Sequence, residues 1–192
     1  PGLLPATITS RCARLHLRPL GPAEMRRALD LLLPGLPQPR RARLEELAEG
    51  CPGRAVLAER SGWLETYATF LDQLERAGSE LAAALAATDL LVERARAEGV
   101  PAAVELLATF LRRCARTAAG RPPAIELVEG EAAMLARRAR ALGLDRCGAL
   151  WDKLVALAAG VEAANLDPVQ AFLPFLRGLD GAAAPVPAPT AG

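Results

Sequence analysis

The chain has 192 residues, of which 52% are hydrophobic and only 4% aromatic, and its 23 Lys and Arg against 22 Asp and Glu leave a net charge of +1. A chain of this length can bury a core and hold one or two domains, and its alanine- and leucine-rich composition favours helices packed through small residues over a β-sandwich. The fold class predicted is all-α, and the even charge balance excludes a global basic field for nucleic acid, so that any DNA contact must be local or belong to partners.

Leu3, Leu4 and Ile8 set an apolar helix face, which ends at the small polar residues Ser10 and Cys12 with Arg11 between them. Leu15 and Leu17 then alternate with Arg14, His16 and Arg18 as a short strand does. His16, the only histidine, falls on the solvent phase of that alternation and has no catalytic role in this reading. Arg18-Pro19-Leu20-Gly21-Pro22 breaks the strand, and Pro22 suits the first position of a helix on which Met25, Ala28, Leu29, Leu32 and Leu33 recur. Pro34-Gly35-Leu36-Pro37 stops it. A second helix is predicted from about Arg40 to Glu49, with Leu44 and Leu47 inward and Gly50 as its stop. A third runs from about Pro52 to Arg60 with Val56 and Leu57 buried, and three short helices of this size make a small lid.

Longer helices follow. Trp63, Tyr67, Phe70, Leu71 and Leu74 share one face and form a core stripe. Ser79 caps a helix with Leu81 and Leu85, and Asp89 starts another with Leu90, Leu91 and Val92 that ends near Gly99. Val100-Pro101 opens a long helix carrying Val104, Leu107, Phe110, Leu111 and Cys114 on one side. After the Arg121-Pro122-Pro123 loop, a helix from about Glu129 to Leu142 buries Met134, Leu135, Ala139 and Leu142, and Gly143 ends it. The next, from about Asp145 to Ala164, aligns Leu150, Trp151, Leu154, Leu157, Ala158 and Val161. Asp167, Pro168 and Gln170 cap a last helix lined by Val169, Phe172, Leu173 and Leu176. Residues from about Asp180 to Gly192, nearly all Ala, Pro, Gly and Thr, read as a disordered tail, and no internal repeat of fixed period occurs.

The four cysteines, Cys12, Cys51, Cys114 and Cys147, are widely separated and lack Cys-x-x-Cys spacing. That argues against a zinc site within the chain and against a secreted disulfide scaffold, and each reads as a small buried hydrophobe in a reducing cytoplasm. The apolar runs are interrupted well before membrane-spanning length and no signal peptide precedes them, so the expectation is a soluble cytoplasmic protein with no membrane partner. No Gly-x-x-x-x-Gly-Lys-Ser/Thr loop and no strand ending in paired acidic residues is present, so the segment has no means of its own to cradle a triphosphate and its magnesium. Since it begins at Pro1, it reads as the C-terminal part of a longer protein.

Ser10-Arg11-Cys12, set between the Leu3 to Ile8 face and Arg18-Pro19-Leu20, resembles the Ser-Arg-Cys signature of the clamp-loader branch of the AAA+ proteins, most closely the δ′-type subunits of bacterial DNA polymerase III. That resemblance implies that Arg11 is a catalytic arginine supplied in trans to the ATP and magnesium bound by a neighbouring subunit, with Ser10 and Cys12 as motif residues. A guanidinium suits the task, because a transferring γ-phosphoryl group spreads negative charge that a planar fork of donors can neutralise. In ATP-hydrolysing relatives an arginine at the start of the third lid helix senses nucleotide in cis. In Gly50-Cys51-Pro52-Gly53-Arg54-Ala55-Val56 the sensing position falls on Gly53 and Arg54 comes one place late, which implies a non-motor subunit with no cofactor of its own. Arg54 reads more simply as a solvated helix arginine.

The domains implied are 1–20, the end of an AAA+ core; 21–62, a three-helix lid; 63–178, a helical collar for oligomerisation; and 179–192, the tail. Asn165-Leu166-Asp167 before the last helix is similar to the end of such chains. The partners implied are γ/τ and δ clamp-loader subunits and, through the complex, the sliding clamp and primed DNA. Two other readings stand beside this one: a γ/τ-type ATPase whose phosphate loop lies upstream, and a helical scaffold with no role in replication. Arg112, Arg113, Arg116, Arg137, Arg138 and Arg140 could meet DNA, but solvated helix faces explain them more simply.

Overall fold

Gly21 and Pro22 start the first described helix for a local reason. Proline at the first helical position lacks only an N–H that the helix would leave unpaired, and the Gly21 N–H donates to the Glu24 carboxylate at 2.9 Å. The computed structural model describes residues 7, 10–13, 16–76, 80–164 and 168–179, and among these every regular element is a helix. They are α1 (Pro22–Leu32), α2 (Gln38–Ala48), α3 (Pro52–Arg60), α4 (Trp63–Arg76), α5 (Glu80–Glu98), α6 (Val100–Ala118), α7 (Glu131–Ala164) and α8 (Pro168–Leu179). Of these, no helix is long and apolar enough to cross a membrane. The all-α prediction holds. The predicted strand does not: His16 to Leu20 lie outside regular structure, and Leu17 is 87% exposed, because a strand needs a hydrogen-bonding partner and no other is found among the described residues. The predicted helix face at Leu3, Leu4 and Ile8 and the residues Arg14 and Leu15 lie outside the described residues.

The chain forms two compact units, Pro1–Leu57 and Ala58–Gly192. In the first, α1 packs on α2 around Met25, Leu29, Leu44 and Leu47, and Arg41 pairs with Asp30 between them. The α1 stripe is narrower than predicted, since Leu32 is exposed and of the five predicted residues only Met25 and Leu29 are buried. On α3 the buried residues are Ala55 and Ala58, three apart, a phase that turns Leu57 outward instead of burying it as predicted.

In the second unit α6 packs on α7, α5 on α4, α6 and α8, and α7 on α8. The predicted stripe of α4 is buried throughout, with Trp63 and Tyr67 stacked at 4.8 Å between ring centroids and Phe70 edge-on to Phe110 at 5.8 Å. Between Glu80 and Glu98 the structure has one helix, not two starting at Ser79 and Asp89. No glycine or proline interrupts the run, and the Thr88 hydroxyl is satisfied within the helix by the Ala84 carbonyl at 2.6 Å. Its buried side is Ala83, Ala84, Ala87, Leu91 and Val92, which leaves Leu81 and Leu85 exposed. Ser79 itself lies outside the described residues. Gly99, at φ 90°, turns α5 directly into α6, and Arg94 ties the corner by donating to the Ala102 carbonyl and to Thr66 Oγ1, each at 3.3 Å, and to Glu98.

Gly143, at φ 68° and ψ 171°, breaks α7 into two arms where the sequence predicts the stop. Leu150 and Leu154 of the second arm are buried, while Trp151, predicted beside them, is 37% exposed. Arg138 caps two helix ends, donating to the Leu74 and Leu179 carbonyls at 3.3 Å each. The predicted cap at Asp167 and the tail from Asp180 to Gly192 lie outside the described residues.

Candidate functional site

Ser10, Arg11 and Cys12 form an exposed turn. The Ser10 hydroxyl donates to the Thr7 carbonyl at 3.3 Å, so the side chain closes the turn locally and leaves Arg11 pointing from a surface segment. The exposed Cys12 corrects the expectation of a buried small hydrophobe: at the outside of a turn there is no core for a thiol to enter. Cys51, on the N-terminal flank of α3, is exposed for a similar reason, and its carbonyl accepts from the Arg54 N–H at 2.9 Å to start the helix. Cys114 and Cys147 are buried as predicted.

The segment that follows the turn is fastened to the start of α3. The Leu20 N–H donates to the Gly50 carbonyl at 2.8 Å, and Gly50 adopts φ 82°. A Cβ added there would stand 2.7 Å from the Leu20 carbonyl oxygen and 2.8 Å from Pro19 Cβ, so glycine is required both by the backbone angle and by the close approach. Thus Gly50, which opens the sequence Gly50-Cys51-Pro52-Gly53-Arg54, is brought against Pro19-Leu20, eight and nine residues downstream of Arg11. Within it, Gly53 is exposed on the first turn of α3, and a Cβ at this position would meet nothing within 4 Å. Neither packing nor backbone angle demands a glycine there, so its effect is to remove a side chain from an open surface. Arg54 leans back on Glu49 at 3.5 Å, and both side chains are partly exposed, so this pair contributes little to stability.

One polar cluster escaped the sequence reading. Arg113 and Glu131 are buried in the second unit, where Arg113 Nε and Nη2 donate to the two Glu131 oxygens at 2.6 and 2.8 Å. Glu131 also accepts from the Tyr67 hydroxyl at 2.8 Å and from the Leu127 N–H at 2.7 Å, while Arg113 Nη2 donates to the Ile125 carbonyl at 2.6 Å. Arg113 is therefore no solvated arginine. Burial, reinforced by the neighbouring Glu131 carboxylate, pushes the Tyr67 phenol well above its usual range. Every hydrogen bond in this cluster is made within the fold and fixes the loop before α7, so the cluster is structural and the exposed arginine turn is the candidate for chemistry. Comparisons with known protein families, with characterised proteins and with solved structures return no match to this chain.

Proposed function

We propose that this chain is a non-motor subunit of the δ′ type from a bacterial DNA polymerase III clamp loader, which donates Arg11 to the ATP site of a neighbouring subunit. The observation that carries the reading is the exposed Ser10-Arg11-Cys12 turn, from which a guanidinium can be given to a second chain. The side-chain-free Gly53 on the open first turn of α3 supports a subunit that does not sense nucleotide itself. By itself the chain is then not an enzyme; its catalytic contribution appears only in the holoenzyme. Residues 21–62 act as the lid, and the helical unit beyond them acts as the collar that joins γ/τ and δ in a cytoplasmic pentamer, which opens the sliding clamp on primed DNA. Ala156 and Ala159, exposed on the second arm of α7, suit close helix approach in such a collar.

Purification of this chain with γ/τ and δ tests the reading. The expected result is one complex for wild type and Arg11→Ala alike, with ATP hydrolysis lowered by about 10-fold or more at one site in the variant. No complex, or a variant with wild-type hydrolysis and clamp loading, overturns it.

A further inference from the structure

Cys114 and Cys147 stand thirty-three positions apart in the sequence, a spacing that links them to nothing, yet the fold packs their helices together. Cys114 lies on α6 and is 0% exposed; Cys147 lies on the second arm of α7 and is 1% exposed. An open groove of about 540 Å³ between the two helices shows how they are matched. Its α6 wall includes Leu111 and Ala115, three residues before Cys114 and one after it, and its α7 wall includes Cys147 itself with Leu144 and Gly148. Burial first and Cys147 second push the Cys114 thiol up, and Cys147 acts on it more strongly than the charges of Arg138, Glu131 or Arg113 do. Coulombic influence falls off with distance, so the two sulfurs are neighbours.

No group of three or more His, Cys, Asp or Glu side chains fit to hold a metal ion occurs among the described residues, so the chemistry on offer here is that of two thiols. We propose that Cys114 and Cys147 form a dithiol site that a small hydroperoxide closes to a disulfide, stapling α6 to the second arm of α7. The groove gives hydrogen peroxide its way in, and it opens on Cys147, so that sulfur reacts first. The Cys147 sulfur attacks the peroxide O–O bond and keeps one oxygen as a sulfenic acid, while the other oxygen leaves with the thiol proton as water. The Cys114 sulfur then attacks the Cys147 sulfur, and the sulfenic OH leaves with the Cys114 proton as a second water. Two electrons pass from two thiols to one peroxide, and the bond formed is S–S. Burial keeps both sulfurs protonated, so closure is slow beside the oxidation of an exposed thiol of low pKa. The inference does not depend on the role of Arg11, which lies in the other compact unit.

The 192-residue chain carrying Cys12→Ser and Cys51→Ser tests it, since these changes remove the two exposed thiols and leave the buried pair. After exposure to hydrogen peroxide, free thiols are alkylated in denaturant and the chain is digested and weighed without reductant. The expected product is a pair of peptides joined through Cys114 and Cys147, lighter than the two separate peptides by two hydrogens and separated by dithiothreitol. The oxidised chain also melts several degrees higher, because the bond closes a long loop in the unfolded state. Cys114→Ala and Cys147→Ala each abolish both the cross-link and the rise. A link that forms only when peroxide is added in urea overturns the proposal. So does Cys147 carried on to the sulfinic acid with Cys114 still a free thiol, which shows that the sulfurs do not meet, or a pair that stays fully alkylatable after prolonged oxidation.

Discussion

Arg113 and Glu131 meet through two hydrogen bonds of 2.6 and 2.8 Å in the interior of the helical unit, joining α6 to the first turn of α7. With Tyr67 and the Leu127 N–H also donating, the Glu131 carboxylate has its oxygens filled, which is the condition under which a buried charge is tolerated. Glu131→Ala leaves the Arg113 charge buried without its counterion and the Leu127 N–H without an acceptor. Urea unfolding followed by circular dichroism is expected to show a loss of about 3–5 kcal/mol. Arg113→Met combined with Glu131→Leu removes both charges and is expected to lose less than Glu131→Ala, because no unpaired ion remains. A double variant that is the less stable of the two contradicts this account.

The same carboxylate gives the fold an alkaline limit. Burial first, and the Glu131 charge second, hold the Tyr67 phenol protonated above the value of about 10 that a free tyrosine has. The folded chain therefore binds this proton more tightly than the unfolded chain does. The resulting stability is present in full below about pH 10 and declines as pH rises through the folded-state value. Tyr67→Phe is expected to lose roughly 1 kcal/mol at neutral pH, for the hydrogen bond to Glu131, and to show a shallower decline above about pH 10 than wild type. Burial also raises the Cys114 thiol, so part of the alkaline decline persists in Tyr67→Phe. Parallel wild-type and variant curves across that range disprove the tyrosine's part in it.

Thiol chemistry separates the cysteines two and two. Cys12 and Cys51 are exposed, whereas Cys114 and Cys147 are buried and burial raises both of their thiols, so little thiolate is available to react. With an aromatic disulfide reagent at neutral pH, two equivalents are expected to react quickly and two only on unfolding. Four fast equivalents show that the α6 and α7 interior opens readily.

Much of the helical architecture was legible because its apolar stripes repeat at helical spacing. The stripe of α4, that of α6 apart from the half-buried Val104, the Gly50 stop and the Gly143 break all stand where the pattern puts them. Two of the misses, on α5 and α3, share one cause, which is that alanine reports no phase. Through the alanine-rich run of α5, Leu81 and Leu85 drew the reading to the wrong side, and the buried side proved to be Ala83, Ala84, Ala87 and Leu91. On α3 the buried alanines Ala55 and Ala58 outrank Leu57 in the same way. Arg113 carried a usable signal that went unread. It lies three residues after Phe110 and seven after Leu106, on the buried stripe, and Glu131 precedes Met134 and Leu135 by three and four residues, also helical offsets. Opposite charges on two apolar stripes point to each other. At the candidate site, the Leu20 to Gly50 clamp was not legible, since it depends on two segments thirty residues apart meeting.

That clamp is sensitive at one position. Gly50→Ala places a methyl 2.7 Å from the Leu20 carbonyl oxygen at a backbone angle that L-residues rarely adopt. The expected cost is about 1–3 kcal/mol, confined to the first unit. Hydrogen exchange reads it: amides of α1 and α2 should lose protection while those of α6 and α7 keep theirs. Gly53→Ala, with nothing within 4 Å of the new carbon and a helical backbone, is expected to be neutral or stabilising by up to about 1 kcal/mol. If both alanines are tolerated equally, the close approach at Gly50 does not constrain the fold.

Arg11 is the opposite case, a residue whose loss the fold should not notice. It sits on an exposed turn, so Arg11→Ala is expected to change the unfolding free energy by no more than about 0.5 kcal/mol. Any larger effect gives Arg11 a structural role and weakens its assignment to a neighbour's nucleotide. Arg11→Lys sharpens the comparison, because it keeps the charge but replaces a planar fork of donors with a single ammonium. If the arginine acts through directed hydrogen bonds to a transferring phosphoryl group, lysine restores little of the ATP hydrolysis lost in Arg11→Ala within the proposed clamp-loader complex. If charge alone is what the neighbouring site uses, lysine restores most of it, and the geometry of the turn matters less than its electrostatic field.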